Sequence, residues 1–149
     1  MNDFASCPSI MNCVGKLVNT ERALRNKETL AYYFASSSCP GQKELLQKLK
    51  DIYREVKDRR IPMEIIYISS DRDADVMLKH FRHHHHGWYA LPVNAPIIGE
   101  LHIQYNVTYE PQIIVVTKEG VIVTKTGMAE LEEFGKNVIV KWMTSNIEY

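Results

Sequence analysis

The segment Tyr33-Phe34-Ala35-Ser36-Ser37-Ser38-Cys39-Pro40-Gly41-Gln42 sets one cysteine between an apolar run and a helical pattern. The thiolate is the reactive form of cysteine, and the free N–H groups at a helix N-terminus stabilise it. Cys39 is thus expected at a helix start, able to attack a disulfide and form a mixed disulfide. A dithiol site needs a second cysteine three positions on, where this chain has Gln42. A glutamine amide can hydrogen-bond but cannot displace sulfur. Resolution would have to come from outside, from glutathione or another protein thiol. The alternative for Cys39 alone is a buried, inert small hydrophobe.

Other candidate residues carry weaker patterns. Cys7 and Cys13 precede the first clear strand, and both are read as passive free thiols, Cys7 exposed and Cys13 partly buried. The His83-His84-His85-His86 run, with His80 nearby, offers imidazoles that suit zinc, nickel or copper. Consecutive histidines do not converge easily on one ion, so the expectation is a solvated loop after a helix and no functional metal. Trp88 and Trp142 are read as packing residues. Lys57-Asp58-Arg59-Arg60 is read as solvated surface.

Composition bounds the setting. The chain has 149 residues, 45% of them apolar and 24% charged, with 18 basic and 18 acidic side chains. That length predicts one domain with a real core. The balanced charge gives no general attraction to nucleic acid or to an anionic membrane. No stretch is apolar enough to span a bilayer, and the first residues lack a secretory pattern. The expected compartment is reducing, cytoplasmic and also nuclear. Three cysteines do not make a disulfide framework there, and the Asn106-Val107-Thr108 sequon is expected to go unused.

The elements that must position Cys39 follow from periodicity. Residues 1–12 are unpatterned and are read as a flexible tail before a single domain over 13–149. Val14–Val18 suggests a short edge strand, and Thr20–Leu24 one helical turn. Thr29–Ala35 is a continuous apolar run with β-formers, as in a strand buried on both faces, and Met63–Ser69 reads as a second central strand. Leu45, Leu49, Ile52, Tyr53 and Val56 mark an amphipathic helix of about four turns, with Pro40 in its first turn. Ser70-Asp71 offers caps to a helix carrying Val76, Met77 and Phe81. Ile97, Ile98, Leu101, His102 and Tyr105 suggest a further helix. Gln112–Val116 and Val121–Thr124 read as a hairpin around Lys118-Glu119-Gly120. Leu131, Phe134, Val138 and Trp142 read as one final helical stripe. The order β-α-β-α-(loop/α)-β-β-α predicts an α/β sandwich on a mixed sheet.

These residues resemble the thioredoxin-like superfamily, and within it the tryparedoxin/nucleoredoxin branch. Residues 33–42 are similar to that branch's "YFSASWCPPC". Glu64–Asp73 resembles "FEVVFVSSDRD", Trp88–Pro92 resembles "PWLALP", and Asn106–Val116 resembles "NVxxIPTLVVL". The likeness covers roughly residues 14 to 142, and the nucleoredoxin-like proteins of the rod-derived cone viability factor group look most similar. The chain departs from the dithiol pattern at Ser38, where the branch has tryptophan, at Gln42, and at Glu110 beside the cis-proline position.

The resemblance implies a three-layer α/β/α sandwich with a central mixed β-sheet. It implies Cys39 as the reacting residue, with Ser38, Pro40, Gly41, Gln42, Trp88, Glu110 and a cis Pro111 around it. The function it implies is a monothiol redox protein that forms mixed disulfides with protein or glutathione, with weak or no dithiol reductase turnover. No cofactor is expected, glutathione serving as external reductant; partners would be oxidised protein thiols or an unknown protein, not nucleic acid or membrane. The alternative is a non-catalytic protein-interaction module on a degenerate scaffold. A Glu110 carboxylate aimed at Cys39 would raise the thiol's pKa by like-charge repulsion; aimed at solvent, it would do nothing.

Overall fold

The computed structural model describes residues 3–4, 7–85 and 87–144. The two apolar runs form strands with the expected bounds. Seven strands make one sheet: β1 Ser9–Met11, β2 Leu17–Asn19, β3 Thr29–Ala35, β4 Met63–Ser69, β5 Tyr89–Ala90, β6 Gln112–Thr117 and β7 Ile122–Thr124. Their spatial order is β2-β1-β5-β4-β3-β6-β7. The β3/β4 and β4/β5 pairs are parallel, and the remaining pairs are antiparallel. The helices are α1 Thr20–Ala23, α2 Gln42–Asp58, α3 Ala74–His84, α4 Pro96–Gln104, α5 Gly127–Phe134 and α6 Val138–Thr144.

Every residue of β3 and of β4 is buried. Side chains alternate across a strand, so the sheet splits the core in two. Ala31, Tyr33, Ala35, Ile65 and Tyr67 pack with Leu45, Leu49 and Ile52 of α2, Met77 and Phe81 of α3, and Trp142 of α6. Leu30, Tyr32, Phe34, Ile66 and Ile68 pack with Ile97, Leu101 and Tyr105 around α4. Helices on both faces of a mixed sheet make the expected three-layer α/β/α sandwich.

Register matters most for function. Ala35 lies beside Ser69, and Phe34 lies beside Gln112. The chain therefore leaves β3 and β4, and enters β6, at the same end of the sheet. Loops beyond the carboxyl ends of parallel strands are where open α/β sheets place their sites.

Four expectations are corrected. The first concerns the start of the chain: Ser9–Met11 is a strand, and Phe4, Cys7 and Ile10 are buried in the core. Asp3 accepts hydrogen bonds from the hydroxyls of Tyr32, at 2.7 Å, and Tyr105, and from Gln104 at 3.0 Å. These buried phenols need an acceptor, which the sequence pattern gives no hint of. Asp3→Ala leaves Tyr32 without this acceptor and Tyr105 with only the Gly120 carbonyl at 3.5 Å, so urea denaturation should show a loss of about 1–3 kcal/mol; an unchanged midpoint would contradict this role.

The second correction is the cap of α3, which is Asp73, accepting from the N–H groups of Asp75 and Val76. Ser70 and Asp71 are engaged elsewhere. Third, the final stripe is two helices joined by a 3₁₀ turn at Gly135–Asn137. Gly135 takes φ 57° and ψ −139°, a backbone region open essentially to glycine, and Phe134 is left exposed. Fourth, Cys7 is buried and Cys13 exposed, the reverse of the expectation: Cys7 packs in the core with Phe4 and Ile10, and Cys13 lies in the turn between β1 and β2.

Candidate thiol site

Ser36–Gly41 leave the end of β3 as a turn. Gly41, at φ 72°, holds a left-handed conformation that strains any residue with a Cβ, and the helix begins only at Gln42. Cys39 and Pro40 therefore precede the helix and do not open it, which corrects the expected placement. The Cys39 thiol is half-buried. The Ser36 N–H donates to its sulfur at 3.3 Å, and the Ser36 hydroxyl lies 3.5 Å away.

Gln42 is buried and takes part in three hydrogen bonds. Its Oε1 accepts from the Tyr33 hydroxyl at 3.0 Å. Its Nε2 donates to the carbonyl oxygens of Ser36, at 2.7 Å, and Cys39, at 3.0 Å. The position where a second thiol would stand thus ties the loop to the sheet. Ser38, Pro40 and Gly41 form the exposed rim.

The other two loops are fastened to this one. Asp71 accepts from the Ser37 N–H at 3.0 Å and from the hydroxyls of Ser37 and Ser69, both at 2.8 Å. The Ser70 N–H donates to the Ala35 carbonyl at 2.9 Å, and its hydroxyl donates to Glu110 Oε1 at 2.6 Å. Glu110–Pro111 is a cis peptide bond, as the resemblance implies. Glu110 does not hang in solvent: its oxygens are engaged by Ser70 and, at 3.3 Å, by His102 Nε2. Beneath the loops stand Tyr33 and Tyr67. Burial pushes both phenols up in pKa, and the charges of Cys39 and Glu110 add to the rise.

Trp88 is fully buried, as a packing residue. Its indole N–H donates to His85 Nδ1 at 2.9 Å, and its ring meets Tyr53 edge-on. The histidine run is also not the solvated loop expected. His83 and His84 end α3, His85 is buried, and His86 lies outside the described residues. His85 sits 4.2 Å from the Tyr67 ring, centroid to centroid. Burial pulls its pKa down to about 2, helped by His80, His84 and Lys50. Among the described residues no cluster of three or more His, Cys, Asp or Glu side chains could hold a metal ion. The three cysteines are free. Cys7 donates to the Ser9 carbonyl, and burial raises its pKa.

A family model described as thioredoxin-like matches residues 26–122. The chain belongs to the thioredoxin-like family. A probable nucleoredoxin from Arabidopsis thaliana is 31% identical over 98 residues, covering 66% of this chain and 17% of that protein. The chain thus spans about a sixth of that relative's length. Thioredoxin from Wuchereria bancrofti superposes with TM-score 0.77 at 27% identity, over 92% of this chain and 94% of that one. Native tryparedoxin I from Crithidia fasciculata shares the fold, with TM-score 0.74 at 22% identity over 88% of each chain. No helix among the described residues of this thioredoxin-like chain is long and apolar enough to cross a membrane.

Cys39 and Gln42 were readable in the sequence, Glu110 and Pro111 only through the resemblance, and the fold gathers these residues at one end of the sheet. Tyr33, Ser36, Asp71 and His102 were missed as site residues. Tyr33 looks like any core position of a buried strand. The signal available for Ser36 and Asp71 was a run of small polar residues at each strand's end, where hydroxyls and carboxylates bind loops together.

Proposed function

We propose that Cys39 is a single-thiol exchange centre that forms mixed disulfides with protein thiols or glutathione and does not resolve them within the chain. The observation that carries this reading is Gln42, whose amide fills the resolving position with hydrogen bonds to Tyr33, Ser36 and Cys39. The half-exposed sulfur is free, and the Ser36 N–H stabilises negative charge on it. Attack on a disulfide forms the Cys39–S–S–R bond and expels RS⁻, which takes a proton from water. A second external thiol then attacks the mixed disulfide and restores Cys39. This chemistry fits a reducing compartment, cytoplasmic and nuclear.

A non-catalytic interaction module is the competing reading, favoured by the helix opening at Gln42 and not at Cys39. Intact mass spectrometry after oxidised glutathione separates the two. In a Cys13→Ser background, which removes the exposed thiol, one glutathione adduct is expected, and Cys39→Ser should abolish it. Insulin reduction by the same protein should stay near the uncatalysed rate. An unmodified Cys39 after prolonged exposure would overturn the exchange reading and leave the binding module.

A further inference from the structure

His102 lies on α4, with Nδ1 2.8 Å from the carbonyl oxygen of Ile98. A carbonyl oxygen only accepts, so Nδ1 carries a proton. In a neutral ring Nε2 would then present a bare lone pair to Glu110 Oε2, 3.3 Å away. A carboxylate oxygen is likewise an acceptor, and two acceptors do not pair. The contact therefore needs one more proton, as imidazolium with carboxylate or as imidazole with carboxylic acid. The side chains are only 25% and 17% exposed, so solvent screens the pair less than a surface pair.

The surroundings tie this proton to the thiol. Ser70 donates to the other Glu110 oxygen and is anchored to Ala35 at the root of the Cys39 loop. From β3, Phe34 packs edge-on against the His102 ring at 5.0 Å and carries no charge. Ionisable groups that interact with Glu110 are His102 from α4, Tyr33 from β3 and Tyr67 from β4. Asp71 sits one residue beyond Ser70 and is occupied by Ser37 and Ser69. The charges of Glu110 and Cys39 act on the same two phenols.

We propose that the His102–Glu110 pair sets the charge of the thiol face and thereby selects among disulfide substrates by their charge. With its proton the pair is neutral and admits anionic disulfides. Without it the face carries one more negative charge and disfavours them against neutral ones. The inference rests on the exchange reading of Cys39, and the exchange step itself is unchanged. His102 is a positioning residue, acting through Glu110.

The test compares Cys39 with two disulfides, the anionic dithiobis(nitrobenzoate) and the neutral dithiodipyridine, across the pH range in a Cys13→Ser background. Both reagents consume the same thiolate, so their rate ratio cancels its titration. The anionic-to-neutral ratio should fall about 3–10-fold as pH rises, the size expected for one added charge at short range. His102→Gln, which can still donate to Glu110, should hold the ratio low at every pH. Glu110→Gln, which removes the carboxylate's charge, should raise the ratio above the parent's at high pH. A flat ratio in the parent, or one unmoved by both variants, would overturn the proposal. The His102 ring-proton shift by NMR is read alongside. Its pH curve should change in Glu110→Gln, and identical curves would also overturn the proposal. If Cys39 reacts with neither reagent, the exchange reading fails, and the NMR titration still judges the pair.

Discussion

Gln42→Cys is expected to convert the site from one that holds mixed disulfides into one that discharges them. A mixed disulfide on the parent protein waits for an external thiol at millimolar concentration. A thiol three residues away competes at an effective concentration that reaches about 10⁵–10⁸ M for well-oriented groups. Even about 1 M would exceed about 1 mM external thiol roughly a thousandfold. The Cys39–glutathione adduct should therefore decay at least about a hundredfold faster in Gln42→Cys, and insulin reduction should rise above background. The substitution also removes an acceptor from the Tyr33 hydroxyl and a donor from two loop carbonyls, so about 1–3 kcal/mol of stability should be lost. Gln42→Ser separates the two effects, because it loses the same hydrogen bonds and gains no thiol. If the adduct decays at the same rate in both variants, the missing second cysteine is not what stops turnover.

How far the sequence led depends on the range of the forces involved. β3 and β4 were legible as strands, because burial on both faces favours runs dominated by apolar β-formers, although β4 also buries Glu64. The helix after Cys39 was legible in its periodicity but not in its start. Gly41's left-handed backbone decides that start, and glycine admits either hand. The first residues looked patternless because their anchors, Tyr32 and Tyr105, lie far along the chain. Cys7 and Cys13 exchanged their expected burial for the same reason. At the site, the resemblance supplied Cys39, Gln42 and Glu110, but not what each one touches. Gln42 serves the loop because Tyr33 and two carbonyls converge on it, and Glu110 is held because α4 brings His102 within reach. Trp88 is the packing residue expected, but the histidine run was misplaced, since His85 folds in against Tyr67, Phe81 and Trp88.

That buried histidine gives the fold a marked dependence on acid. Trp88 donates to His85 Nδ1, so the neutral ring keeps its proton on Nε2. In the folded protein His85 resists a second proton until pH falls to about 2, whereas an unfolded histidine accepts one near pH 6.5. Below pH 6.5 the unfolded chain therefore binds more protons, and stability falls as pH falls, by up to about 1.4 kcal/mol per pH unit. His80, partly buried and also held down by desolvation, adds in the same direction. Glu64 opposes it: burial raises its pKa, so the folded state takes up its proton first and gains stability as pH drops through that range. A variant isolates the His85 part. His85→Asn keeps an acceptor where Nδ1 was and cannot titrate. It should be less stable than the parent at pH 7 because packing is lost. The gap should then close by roughly 2–3 kcal/mol between pH 6.5 and 4.5, read from urea midpoints at each pH. Parallel stability curves for parent and variant would mean that His85 takes up its proton inside the folded core, and that the ring cluster around Tyr67 admits charge.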